Sequence, residues 1–114
     1  LTYCIGGHLP LPVLYSAGKA RFLEGKGLPV GLFENAEHED YVLDLPEAFS
    51  LTMLSDGIFD LLPGASLTDK EASLPQLISA AGGTLQGLCE TLGLASVEEM
   101  PDDIALLVLS RNLP

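Results

Sequence analysis

The apolar pattern of this chain changes its period partway along, and that change restricts the fold more than any other feature. Through residue 57 the apolar residues come in short runs broken by glycine and proline. These are residues 1–5, "LPVLY" at 11–15, "ARFLE" at 20–24, "YVLDL" at 41–45 and "AFSLTML" at 48–54. Apolar runs of this length, bounded by turn residues, read as strands. "GGHLP" and "SAGKA" are tight connections between them, and "GKGLPVGL" is a glycine-rich loop that Pro29 stiffens. "YVLDL" alternates, with Tyr41, Leu43 and Leu45 on one face, which predicts a half-buried strand. "FENAEHED" is an acidic surface segment.

Further on the spacing turns helical. Leu74, Leu77, Ile78 and Ala81 fall at i, i+3, i+4 and i+7. Two starts compete. Ser73 with Gln76 makes one capping box and Thr68 with Glu71 another. The earlier start would put Pro75 inside the helix, so the expectation is the later one. Gly82-Gly83 ends it. Leu85, Leu88, Cys89 and Leu92 repeat the spacing in a second helix capped by Thr84, and Ser96 with Glu99 offers one more turn before Pro101. The last run, "IALLVLS" at 104–110, is unbroken and of strand length, which predicts a strand buried on both faces. Strands grouped before helices, with one strand returning, predict an α+β fold. A chain of 114 residues that is 47% hydrophobic can bury a core and is of single-domain size. It opens "LTYCIGGHLP", with Tyr3 and Ile5 already strand-like, and so reads as a piece beginning inside a longer fold.

Charge narrows the function classes. Sixteen acids against five bases give a net charge of −11. Such a field repels phosphate backbones and anionic membrane surfaces, so neither nucleic acid nor a membrane is an expected partner. No stretch approaches the roughly 20 apolar residues of a membrane helix. A phosphorylated substrate would need cations to neutralise it, and bound metal ions supply them. Cys4 and Cys89 belong to no motif. They are read as two buried free thiols of a cytoplasmic protein rather than as a disulfide.

Only two acidic features adjoin the buried strands. Asp56 follows "LTML", and Asp102-Asp103 precedes "IALLVL". If these strands are antiparallel neighbours, the end of one and the start of the other share a sheet edge. If they are parallel, the acids lie at opposite edges. Carboxylates brought together without a base call for a cation between them. Hard oxygen ligands suit Mg²⁺ or Mn²⁺, and two such ions can activate water and clamp a phosphoryl group. The competing reading is that Asp56-Gly57 is a turn and Asp102-Asp103 a solvated strand start.

"SDGIFD", followed beyond the helices by "PDDIALLVL", resembles the last two motifs of metal-dependent serine/threonine phosphatases, closest to the bacterial SpoIIE-type domains of the protein phosphatase 2C superfamily. "YCIGGHLPLPVLY" is similar to that family's strand, Gly-His-Pro-Pro turn and strand, and "GKGLPVGL" to its Gly-x-Pro-x-Gly-Leu loop. The resemblance implies the C-terminal part of an αββα sandwich with mostly antiparallel sheets. It implies a site for two divalent ions, Mn²⁺ or Mg²⁺, with Asp56 and Asp102 as ligands and Asp103 as a lesser one. It assigns His8 to the Gly-His turn, where a structural role is expected. Ala105 replaces the family's usual Thr, and "LPEAFSL" its usual Pro-Gly-Asp lead-in. The family's first metal-binding Asp belongs to an N-terminal portion that this sequence does not contain.

The functional expectation is therefore the C-terminal portion of a phosphatase domain from a bacterial signalling regulator. The resemblance implies a phosphorylated anti-anti-sigma-type protein as substrate and a fused regulatory domain, as in an RssB-like response regulator. The alternative is an inactive pseudophosphatase that docks the same partner. A β-rich domain with no site explains the turns but not the order of the four motifs. The 114 residues alone are expected to be inactive and to expose apolar surface, hidden by upstream sequence or self-association.

Overall fold

In the computed structural model, which describes residues 1–35, 37–94 and 103–113, six strands and two α-helices follow in the order the pattern predicts. The strands are β1 (Thr2–Tyr3), β2 (Val13–Ser16), β3 (Lys19–Phe22), β4 (Tyr41–Val42), β5 (Phe49–Leu54) and β6 (Leu106–Arg111). The helices are α1 (Leu67–Ala80) and α2 (Leu85–Leu92), and a 3₁₀ turn covers Asp56–Asp60. Four strands form one antiparallel sheet in the order β3-β2-β5-β6, and β1 pairs with β4 in a second sheet.

Strand alternation sorts the core into two layers. On one face Val13 and Leu54 pack with Ile58, Leu62, Leu74, Ile78 and Leu88 under the helices. On the other, Leu14, Phe49 and Leu51 pack with Leu23 and against Tyr3, Leu43 and Leu45 of the small-sheet region. The result is helices on sheet on sheet, the α+β arrangement expected of the C-terminal part of an αββα sandwich. "YVLDL" presents its half-buried face as predicted, but only Tyr41 and Val42 pair as strand, because β1 itself is two residues long. Tyr3 stacks on Tyr41 with ring centroids 5.4 Å apart and donates its hydroxyl to the Glu24 carbonyl at 2.5 Å. Burial, and then the Glu24 carboxylate, raises the Tyr3 phenol above its ordinary pKa.

Three expectations need correction. First, α1 starts at Leu67 rather than after Ser73. Ser66 is its N-cap, accepting from the Asp69 amide at 3.2 Å, and Pro75 lies inside the helix. The Ser73 hydroxyl instead donates back to the Lys70 carbonyl at 2.7 Å. A proline inside a helix costs ~3 kcal/mol. Leu74 and Ile78 are 0% and 1% exposed, and full burial of such side chains gives about 1.5–3 kcal/mol each, enough to hold the turn. Second, β6 is the edge of its sheet and is not buried on both faces. Leu106 and Val108 are half-buried on the helix side, whereas Leu107 and Leu109 are 58% and 55% exposed. Among the described residues, only one face of this strand has a layer over it. Third, Cys4 and Cys89 are free, as expected, but Cys4 is exposed and Cys89 half-buried.

The second helix matches its reading. Thr84 accepts from the Gly87 amide at 3.0 Å, and Gly93 closes the helix in the left-handed conformation. The further turn from Ser96 and Glu99 lies outside the described residues. No helix among those described is long and apolar enough to cross a membrane.

Candidate metal-binding edge

β5 and β6 are antiparallel neighbours, with Leu54 opposite Leu106. The end of β5 and the start of β6 therefore lie at one edge of the sheet, and Asp56 and Asp103 flank that edge. Asp102 lies outside the described residues.

Ser55 holds the edge together. Its amide donates to the Ala105 carbonyl at 2.9 Å, and its hydroxyl accepts from the Ala105 amide at 2.8 Å. The same hydroxyl lies 3.5 Å from the Asp103 carbonyl. Asp56 is exposed and opens the 3₁₀ turn, while Ile58 two residues on is 0% exposed. The carboxylate thus stands in solvent on a segment anchored at both ends. Gly57 makes the approach of the two strand ends feasible. A Cβ there would sit 2.2 Å from the Asp103 carbonyl oxygen, so only glycine fits without moving backbone. Asp56-Gly57 does open a turn, a 3₁₀ one that leads on to α1 and does not fold β5 back into a hairpin.

His8 reaches the same edge from the other end of the sequence. Its Nε2 lies 2.9 Å from the Leu54 carbonyl. A carbonyl only accepts, so Nε2 carries the proton and donates. This agrees with a structural role for the Gly-His turn. The turn is itself held by the glycine-rich loop, where a Cβ on Gly27 would meet the Ile5 carbonyl oxygen at 1.7 Å. His8 borders an apolar pocket of about 350 Å³ with Met53, Ser55 and Leu107. It borders a second one, of about 360 Å³, with Gly7, Lys26 and Pro29.

The bases lie mostly elsewhere. Arg111 closes the far end of β6, where its guanidinium donates to the Pro46 and Glu47 carbonyls and lies 5.2 Å from the Phe49 ring centre. Lys19 and Arg21 are on β3, at the opposite edge of the sheet. Asp56 and Asp103 are hard oxygen donors of the kind Mg²⁺ and Mn²⁺ take, so they fit as part of such a site. Among the described residues no three His, Cys, Asp or Glu side chains cluster closely enough to hold an ion by themselves. Sequence reasoning missed the Ser55 clamp and the His8 bond. Ser55 stands directly before the Asp-Gly pair, but its partners are fifty residues away in sequence, and nothing local announces them.

The structure resembles solved ones. The RsbU and RsbW domains of Rv1364c from Mycobacterium tuberculosis match with a TM-score of 0.65 and 29% identity, over 99% of this chain and 33% of that one. The phosphatase domain of the cell fate determinant SpoIIE from Bacillus subtilis, presoaked in Mn, matches with a TM-score of 0.61 and 17% identity, over 99% of this chain and 52% of that one. The present chain thus spans about a third and about half of those two. No curated protein sequence matches it significantly. The family described as Stage II sporulation protein E (SpoIIE) matches residues 1–112, all but the last two positions. With its four motifs in order and its strands and helices laid out as in those neighbours, the chain belongs to the SpoIIE family.

Proposed function

We propose that this chain forms the C-terminal portion of a metal-dependent protein serine/threonine phosphatase domain in a bacterial signalling regulator. The observation that carries the reading is the shared sheet edge, where antiparallel β5 and β6 bring Asp56 and Asp103 together in a chain of this family. Asp56, Asp102 and Asp103 would hold the ions, Mn²⁺ or Mg²⁺. When bound, two such ions supply an activated water and neutralise the phosphoryl charge. The protein's own part is to fix the ligands. Ser55 ties the end of β5 to the start of β6, Gly57 lets the strand ends meet, and Ile58 anchors the segment in the core.

The substrate class is a phosphorylated regulatory protein of the anti-anti-sigma type, acting in the cytoplasm. The RsbU-domain neighbour supports a signalling setting, and the net charge of −11 disfavours nucleic acid as the partner. A fused response-regulator domain, RssB-like in kind, belongs to the same reading. The exposed face of β6 is covered in the working protein by upstream chain or by a second copy. The 114 residues by themselves are expected to be inactive.

One feature favours a second reading, a pseudophosphatase that docks the partner without hydrolysis. Ala105 puts a methyl at the site edge where the family usually has a Thr hydroxyl. Phosphate release from a phosphoserine protein separates the two. The parent protein, with its upstream portion, should release phosphate in the presence of Mn²⁺. Asp56→Asn should lower the rate ~100-fold or more, since even outer-shell partners of a metal site are worth about 10–100-fold. Partner binding without any hydrolysis by the folded parent would establish the docking reading instead.

A further inference from the structure

We infer that His8 is a positioning residue for the candidate metal site. It completes the backbone hydrogen bonding of β5 where the sheet ladder runs out, two residues before Asp56. The ladder's parity shows why the carbonyl needs it. The Ser55 amide bonds to the Ala105 carbonyl, and Leu54 faces Leu106, so the polar groups of Leu54 itself point away from β6, toward β2. On that side the ladder begins only at Val13, which pairs with Thr52. Continuing the register would set Leu54 opposite Leu11, which lies before the strand and next to two prolines, Pro10 and Pro12. Leu11 keeps its own N–H, but among the described residues it makes no bond to the Leu54 carbonyl, and the Nε2–H of His8 provides the donor at 2.9 Å. A buried carbonyl without a donor costs free energy. Here its donor comes from a separate turn, which the glycine-rich loop buttresses through Gly7 against Pro29.

The end of β5 is consequently held from both sides, by Ser55 on the β6 side and by His8 on the β2 side. Asp56 projects from just beyond this clamp. The imidazole bonds to the Leu54 carbonyl, so it acts through the backbone. The inference deepens the phosphatase reading and, for its metal consequence, rests on it.

The test uses the parent protein with its upstream portion and two variants, His8→Ala and His8→Gln. Glutamine offers an amide N–H close to where Nε2 stands, and alanine offers none. Two quantities are measured. One is amide hydrogen exchange at residues 54–58 without metal, and the other is Mn²⁺ binding followed by the loss of the free-ion EPR signal. The expectation for His8→Ala is faster exchange in this segment and ~10-fold weaker Mn²⁺ binding, the lower end of what outer-shell losses produce. His8→Gln should restore most of both. Unchanged exchange in His8→Ala overturns the inference, and so does an equal fall in both variants, since a ring needed only for packing would not be rescued by an amide. If the unaltered parent neither binds Mn²⁺ nor releases phosphate, the phosphatase reading falls. The exchange comparison still decides whether His8 holds the Asp56 segment.

Discussion

Gly57 concentrates the constraint on the candidate site into one missing methyl group. Its would-be Cβ falls 2.2 Å from the Asp103 carbonyl oxygen and 3.2 Å from the Ile104 side chain. Backbone oxygen cannot swing aside as a flexible side-chain end can, so Gly57→Ala must push the start of β6 away from the end of β5. Overpacking of this kind costs about 1–3 kcal/mol. The functional effect should exceed the stability effect, because the displaced segments are the ones that carry Asp56 and Asp103. In the parent protein we expect a lower melting temperature and a loss of phosphate release approaching that of Asp56→Asn. A Gly57→Ala protein with unchanged melting and full activity would show that the two strand ends need not meet. At this scale the sequence was legible where chemistry marks a residue by itself. Asp-Gly at the end of an apolar strand pointed to a rim position, and an acid before the last strand, Asp103, lies at the same sheet edge. It was silent on Ser55 and on the Leu54 carbonyl that His8 satisfies. A hydroxyl and an imidazole have many ordinary uses, and their partners here are fixed by tertiary pairing alone.

The elements divide in the same way. α2 was readable because its cap, its apolar spacing and its terminal glycine agree with one another. α1 was misread at its start because local rules conflict there. Pro75 argues for a break, and Ser73 offers a cap. The burial of Leu74 and Ile78 against the sheet overrides both, and the helix begins at Leu67. Such a conflict leaves a measurable trace. The ring of Pro75 supplies no N–H to the carbonyl one turn back, that of Glu71. Pro75→Ala would restore this bond and relieve the ring clash, while giving up part of the contact made by a half-buried side chain. The expected outcome is a gain of about 1–2 kcal/mol, less than the full helix-interior penalty of ~3 kcal/mol. Urea unfolding should show a higher midpoint at unchanged slope. A lower midpoint would mean that the proline ring packs better than the helix bond it prevents.

For the whole molecule, the open side of β6 is the feature with the largest consequence. Leu107 and Leu109 point away from the helices, and Leu107 borders an apolar pocket of about 350 Å³ with His8 and Met53. Elsewhere the same face of the sheet is covered by Tyr3, Leu43 and Leu45. The apolar run of "IALLVL" predicted burial on both faces, and Leu107 and Leu109 are exposed instead. The run did not show that one of its faces has no cover among the described residues. Substituting both leucines distinguishes the ways this face could be used. Leu107→Thr with Leu109→Thr keeps strand propensity while removing apolar surface. In the 114-residue chain we expect the unaltered protein to self-associate and bind an apolar dye, and the double variant to do less of both. In the parent, if upstream chain covers the face, the substitutions should cost stability, about 1.5–3 kcal/mol for each leucine buried. If only a second copy covers it, the parent should lose its dimer with little change in the unfolding of each monomer. A parent that keeps its stability and its oligomeric state, beside a 114-residue chain that was monodisperse and dye-free from the start, would show that the face needs no cover at all.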